Sequence, residues 1–188
     1  MTTEVLEQAI ATTRGVLANV SRDQLDDATP CASWKVRDLI NHIVGGQYFF
    51  AGGVRGELPS GETDWAAGDF LADFDTRARQ CVDAFNSDGA MDKMLTLPFG
   101  QMPGSAFIGL ASTDTFTHGW DLARAIGQPF DADHDSIEGC LEFIGPISEP
   151  GAEANRAPAF GPPMTPPDDA SPVDRLIALT GRDPGWTP

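Results

Sequence analysis

Asp114-Thr-Phe-Thr-His118-Gly-Trp-Asp121-Leu-Ala is the stretch on which the reading of this chain turns. It lies inside a longer helical pattern, from about Gly104 to Ile126, that stops at Gly127. A helix advances about 100° per residue; with Asp114 at zero, His118 falls near 40° and Asp121 near −20°. Phe107, Leu110, Ala111, Leu122 and Ala125 fall on the same side, so one face mixes ionisable and apolar side chains. Charge on an apolar face is costly unless it is paired or bound to a metal. Asp114 and His118 are four residues apart and can hold one ion from one side of a helix. The same spacing also suits a buried Asp–His hydrogen bond that fixes helix packing. Periodicity leaves both readings open.

The 188 residues suit one domain with a sizeable core. Lys and Arg number 12 against 28 Asp and Glu, a net charge of −16. That balance argues against nucleic acid, whose phosphates need a basic patch, and against anionic membranes. It serves solubility. The amino terminus lacks a basic segment followed by an apolar run, so no signal peptide is expected. No apolar run is long enough for a membrane span. Cys31, Cys81 and Cys140 are odd in number, far apart and without CxxC spacing. They predict neither a disulfide framework nor a thiolate zinc site, and a reducing cytoplasm is the expected compartment.

Outward from the central stretch, the remaining chain also reads as helix. Val5, Leu6, Ile10, Leu17 and Val20 predict a first helix over Thr3 to Val20, and Ser21 a cap on a short turn. Ser33 is the expected cap of a second helix, Trp34 to about Ala51. His42 lies well off the apolar stripe of that helix, as a solvent histidine would. Yet Tyr48, Phe49 and Phe50 make the helix end apolar all round, as a pocket wall would be. Gly52 to Ala67 reads as a loop that Trp65 tacks down. Asp69 to Asn86 reads as a third helix with Cys81 on its buried stripe. Leu95 to Phe99 suits a short extended piece. Asp133 or Asp135 would cap a fifth helix reaching Ile147, with His134 exposed at its start. Pro146 to Pro172 reads as an extended Pro-rich surface segment. Ser171, Pro172 and Gly181 frame a short closing helix. Arg37, Arg55 and Arg124 are scattered and read as surface charges.

Two of these stretches carry a resemblance. Thr29-Pro-Cys-Ala-Ser-Trp-Lys-Val-Arg-Asp-Leu-Ile-Asn-His42 and Asp114-Thr-Phe-Thr-His118-Gly-Trp-Asp-Leu-Ala resemble the DinB-like helical bundles, in particular the metal-binding domain family of mycothiol-dependent maleylpyruvate isomerase. The closing Ser171 to Trp186 looks like the tail of an actinobacterial subgroup of that family. The resemblance implies an all-α fold: a DinB-like four-helix bundle, an extended Pro-rich carboxy-terminal segment and a short terminal helix. Residues 1–188 would be one domain, with 145–188 packing on the bundle as a tail. It implies a divalent metal, zinc or nickel, on His42, Asp114 and His118, with Asp121 behind them accepting a hydrogen bond from a ligand histidine. Three protein ligands leave positions open for water or substrate.

The implied activity is a metal-dependent thiol transferase or isomerase. Mycothiol or an analogue would be the low-molecular-weight thiol co-substrate, and the acceptor a small electrophile. The metal would lower the thiol's pKa. The family pattern has Glu where this chain has Asp114, and the chain leaves no room for the isomerase's sizeable second domain. Those two departures frame the alternative, a non-catalytic metal-binding or stress-associated module. A monomer or homodimer is expected, with no nucleic-acid or membrane partner.

Overall fold

Six α-helices and one short hairpin make up the regular structure of the computed structural model, which describes residues 1–149 and 160–188. Helix α1 (Thr3–Leu17) buries Leu6, Ala9, Thr13, Val16 and Leu17, a spacing of three and four. It ends three residues before the expected Val20. Asn19 and Val20 instead bond back three residues, to the carbonyls of Val16 and Leu17, and lead into a short 3-10 turn.

Helix α2 (Val36–Arg55) starts later than the sequence suggests. Lys35, and not Ser33, precedes it, and the Lys35 N–H donates to the Asp38 carboxylate at 2.9 Å. The cause is a closed loop upstream. Ala28 and Lys35 form an antiparallel bridge, and the Thr29 hydroxyl donates to the Trp34 carbonyl at 2.9 Å. Those bonds hold Ser33 and Trp34 outside the helix. At its other end α2 runs through Gly52 and Gly53, which read as loop. A Cβ at Gly53 would lie 2.7 Å from the Phe107 ring, so the glycine sets how closely α2 meets the helix carrying Phe107. Gly56, at φ 76°, supplies the left-handed stop. The loop that follows is fastened by Asn41, whose carbonyl accepts from Ala66 N–H at 2.9 Å, and by Arg77 over the Trp65 ring.

Helix α3 (Phe70–Phe85) is capped by Asp69, which accepts from Ala72 N–H, and buries Phe70, Phe74, Ala78, Cys81, Ala84 and Phe85. Strands β1 (Met94–Leu97) and β2 (Gly100–Pro103) pair antiparallel with Leu97 opposite Gly100. Helix α4 (Gly104–Ala125) follows and is buried without a break from Phe107 to Ala123. The sequence suggested one buried face; contacts with α1, α2 and the next helix close α4 off on further sides.

That next helix, α5 (His134–Ser148), is capped by Asp133 and carries His134 exposed. It runs over Pro146, which reads as the start of the extended segment. Proline has no N–H, so one bond is lost, to the Glu142 carbonyl, in the last turn, where Glu142 and Pro146 are exposed. Helix α6 (Pro172–Leu179) is capped by Ser171 and stopped by Gly181 at φ 86°. Residues 150–159 of the expected extended segment lie outside the described residues. From Phe160 to Pro167 the backbone is irregular, and Met164 N–H bonds the Ala178 carbonyl at 2.8 Å.

Helices α1 to α4 contact one another around two apolar cores. One is built on Phe50, Phe85, Phe107 and Phe116, the other on Leu39, Ile40, Phe74 and Leu122. Among the described residues no helix is long and apolar enough to cross a membrane. The three cysteines are free; Cys81 and Cys140 are buried and Cys31 is partly exposed.

Candidate metal centre

Helix α2 carries His42, and α4 carries Asp114 and His118 one turn apart. Their packing brings the three together across 72 residues of chain. His42 Nε2 and His118 Nε2 each lie 3.5 Å from Asp114 Oδ1. One ligand atom from each residue falls within 4.8 Å of the other two. The imidazole rings meet edge to face at 4.4 Å between centroids. Distances of 3.5 Å exceed ordinary charge-assisted hydrogen bonds, about 2.7–2.9 Å. The atoms surround a common point more than they bond one another.

His118 is held from behind. Its Nδ1 lies 3.0 Å from Asp121 Oδ2 on the next turn of α4. An ionised carboxylate only accepts, so Nδ1 carries the proton and Nε2 presents its lone pair to the triad. Asp121 is fully buried and takes two further donors on the same oxygen: the Cys31 thiol at 3.2 Å and Arg182 through Nε at 3.3 Å and Nη2 at 3.2 Å. Arg182 Nη1 donates to the Thr180 carbonyl at 2.8 Å. A second group of ligand-type atoms, from Cys31, His118 and Asp121, thus shares His118 with the first.

Charge follows this geometry. Burial disfavours ionisation of Asp114, but His118 and His42 outweigh it and hold its pKa below the usual carboxylate value. Burial opposes protonation of His42 too, yet the facing Asp114 carboxylate keeps its pKa above the ordinary imidazole value. His118 is more deeply enclosed, and burial pushes its pKa down. Burial also works against Asp121, and its bond from His118 and the Arg182 charge keep it ionised. Burial and the Asp121 charge push the Cys31 thiol up to about 12, so it stays protonated.

A cavity of about 540 Å³ opens beside these residues, lined by Cys31, Trp34, His42, His118, Gly161 and Arg182 among others. The Trp34 ring sits 4.8 Å from His42 and 5.5 Å from His118 between centroids, forming a flat apolar wall. His42, with 34% of its side chain exposed, also lines a second cavity of about 670 Å³ under Pro59 to Trp65.

The structure therefore places His42, Asp114, His118 and Asp121 in one cluster. Cys31, Trp34 and Arg182 were not read as site residues from the sequence. From the sequence, Cys31 counts as an unpaired thiol and Trp34 as the start of a helix. Arg182 follows a predicted helix stop, and that Gly181-Arg182 step was the available signal for it.

A family model described as the mycothiol maleylpyruvate isomerase N-terminal domain matches residues 6–123. Two uncharacterized proteins of Mycobacterium tuberculosis, from strains CDC 1551 / Oshkosh and ATCC 25618 / H37Rv, are each 34% identical over 174 residues, spanning 89% of this chain and 90% of theirs. Crystal structures of the mycothiol-dependent maleylpyruvate isomerase and of a histidine-to-alanine mutant of it superpose with TM-scores of 0.59 and 0.61. Identity is 15% and 14%, and the match covers 78% of this chain and 67% of each of those. At that identity the likeness is one of fold.

Proposed function

Because the chain belongs to the mycothiol maleylpyruvate isomerase N-terminal domain family, we propose that it is a divalent-metal-dependent transferase or isomerase that uses a low-molecular-weight thiol of the mycothiol type on a small electrophile. The observation that carries this reading is the convergence of His42 Nε2, Asp114 Oδ1 and His118 Nε2 on one point beside a cavity. The donor set fits a divalent ion. Two imidazole nitrogens and one carboxylate suit zinc and nickel alike. The Nδ1–H of His118 given to a carboxylate is the usual support of a ligand histidine. Zinc or nickel would be held by His42, Asp114 and His118, and would lower the pKa of a bound thiol and orient it.

The remaining roles belong to the chain's own side chains. Asp121 keeps His118 in the tautomer whose Nε2 faces the triad. Trp34 excludes water from one side of the two imidazoles and offers a flat surface to a planar acceptor. His42, open to both cavities, stands where two reactants would meet. Residues 1–188 act as one domain in this reading, because the site draws on both α2 and the segment beyond α6.

A second reading, a metal-binding module without turnover, is favoured by one observation. Arg182 is the cation that lines the cavity beside the triad, and it is already engaged by Asp121. A dicarboxylate would find no uncommitted cation there among the described residues. The test is metal content of the purified, reconstituted protein beside His42→Ala. About one equivalent in the first and a clear loss in the second supports the site. Equal content in both ends the reading. A thiol-conjugation assay across electrophiles then separates turnover from binding.

A further inference from the structure

One ligand atom each from Cys31, His118 and Asp121, the second group, also lies within 4.8 Å of the other two. Thiolate, imidazole and carboxylate would suit a thiophilic divalent ion. A cation already stands there. Arg182 places Nε and Nη2 on Asp121 Oδ2 and Nη2 3.6 Å from Cys31 Sγ, and its Nη1 is taken by Thr180. Each of its three nitrogens is engaged, and its side chain is 9% exposed.

We propose that Arg182 is the resident cation of this second group and, through it, a positioning residue for the first. Held by Arg182, Asp121 keeps the Nδ1–H of His118 turned toward itself, and Nε2 faces His42 and Asp114. The same guanidinium fills the place a metal ion would need beside Cys31. An arginine suits the task because it cannot lose its charge and its planar fork engages two partners at once. A lysine would supply the charge without the fork.

The local chain explains how Arg182 is aimed. Helix α6 ends with Gly181 N–H on the Ala178 carbonyl and Arg182 N–H on the Ile177 carbonyl, a paired stop that needs the left-handed Gly181. A Cβ at Gly181 would lie 2.8 Å from the Gly161 backbone, so Gly181 lets the irregular segment at Gly161 and the α6 terminus press together. Residue 182 lies well beyond the stretch matched by the family model, which ends at 123. On this argument that stretch does not hold the whole site.

The inference rests on metal binding at the triad, and one experiment separates the two. Cobalt(II) is titrated into the full-length protein and into Arg182→Met, Arg182→Lys and the Cys31→Ser/Arg182→Met pair, with folding followed by far-UV circular dichroism. The wild type is expected to show visible cobalt bands and no near-ultraviolet thiolate-to-cobalt band. Arg182→Met should bind about 10- to 100-fold more weakly, as loss of outer partners of a ligand histidine does, and should gain the thiolate band. The Cys31→Ser/Arg182→Met pair should lack that band, and Arg182→Lys should fall between wild type and Arg182→Met in affinity. A thiolate band in the wild type overturns the proposal, as does a folded Arg182→Met with wild-type affinity and spectrum. If Arg182→Met does not fold, Arg182→Lys decides: unchanged cobalt affinity overturns the proposal, weaker affinity supports it. Cobalt binding that His42→Ala abolishes and the Arg182 variants leave alone defeats this inference only. No cobalt binding by the wild type defeats the triad reading beneath it.

Discussion

Replacing Asp121 by Asn should cost the metal-free protein a large part of its stability without changing its volume. Asn has nearly the shape of Asp, so no cavity forms. What disappears is the charge opposite Arg182, whose side chain is 9% exposed against a fully buried partner. Breaking a buried ion pair by removing one member costs about 3–5 kcal/mol. Two features pull toward the low end. The Asn carbonyl still accepts a hydrogen bond, and Arg182 borders the cavity and can turn toward solvent. The expected loss is therefore about 3 kcal/mol. With a urea slope of about 2 kcal/mol per molar, the midpoint should fall by about 1.5 M. The measurement is urea unfolding of metal-free protein near pH 7, followed by far-UV circular dichroism. Arg182→Met and the Asp121→Asn/Arg182→Met pair complete a cycle. The pair should cost less than the sum of the single changes, because no charge is then left unmatched. A midpoint shift below about 0.3 M, or strict additivity, would refute the claim that this is a working buried pair.

Two further predictions test the fold around the site. Gly119→Ala puts a Cβ 2.3 Å from Thr13 Oγ1, which donates to the Thr115 carbonyl across α1 and α4; thermal or urea unfolding should show a loss of about 1–3 kcal/mol, and an unchanged midpoint would mean the two helices are not in this contact. Cys140 is buried, and burial pushes its thiol from 9.0 up to about 12. Its proton is held in the folded chain and lost from the unfolded chain, so its share of stability is full below pH 9 and falls away as pH rises toward 12. Between pH 7 and pH 10 the wild type should lose about 1 kcal/mol more than Cys140→Ala, and equal losses in urea unfolding would refute the burial.

The sequence showed most clearly what a single helix encodes. The pair Asp114 and His118 was legible from its place among Phe107, Leu110 and Ala111, because helical spacing fixes which side chains share a face. Ser171 was legible as a cap for the same local reason, Asp133 as one of two candidate caps, and Gly127 and Gly181 as stops. His42 was half legible: its offset from the stripe said solvent, the aromatic run after it said pocket, and its 34% exposure and its place in the lining of two cavities agree with both. The start of α2 was misread because a bridge between Ala28 and Lys35 overrides the capping tendency of Ser33. Cys31 and Arg182 were missed because they meet Asp121 across 90 and 61 residues. No periodicity links a loop cysteine to the residue after a helix stop.

The charges of the cluster explain why those distant residues belong together. Asp114 and Asp121 bring two buried negative charges onto one face of α4. Arg182 balances Asp121, and it does so from a part of the chain with no helical register to α4. Among the described residues Asp114 has no such permanently charged partner. With both imidazoles neutral the cluster holds one more negative charge than positive, in surroundings that penalise any uncompensated ion. Two cations can close that gap: a proton, for which His42 has a raised pKa, or a metal ion held by all three triad residues. The two compete for the same nitrogen, since a ligand histidine must be neutral. The cluster is thus built one positive charge short at Asp114 and made whole at Asp121. That asymmetry, fixed by where Arg182 stands, is the electrostatic argument for a cation at the triad and against one beside the neighbouring thiol.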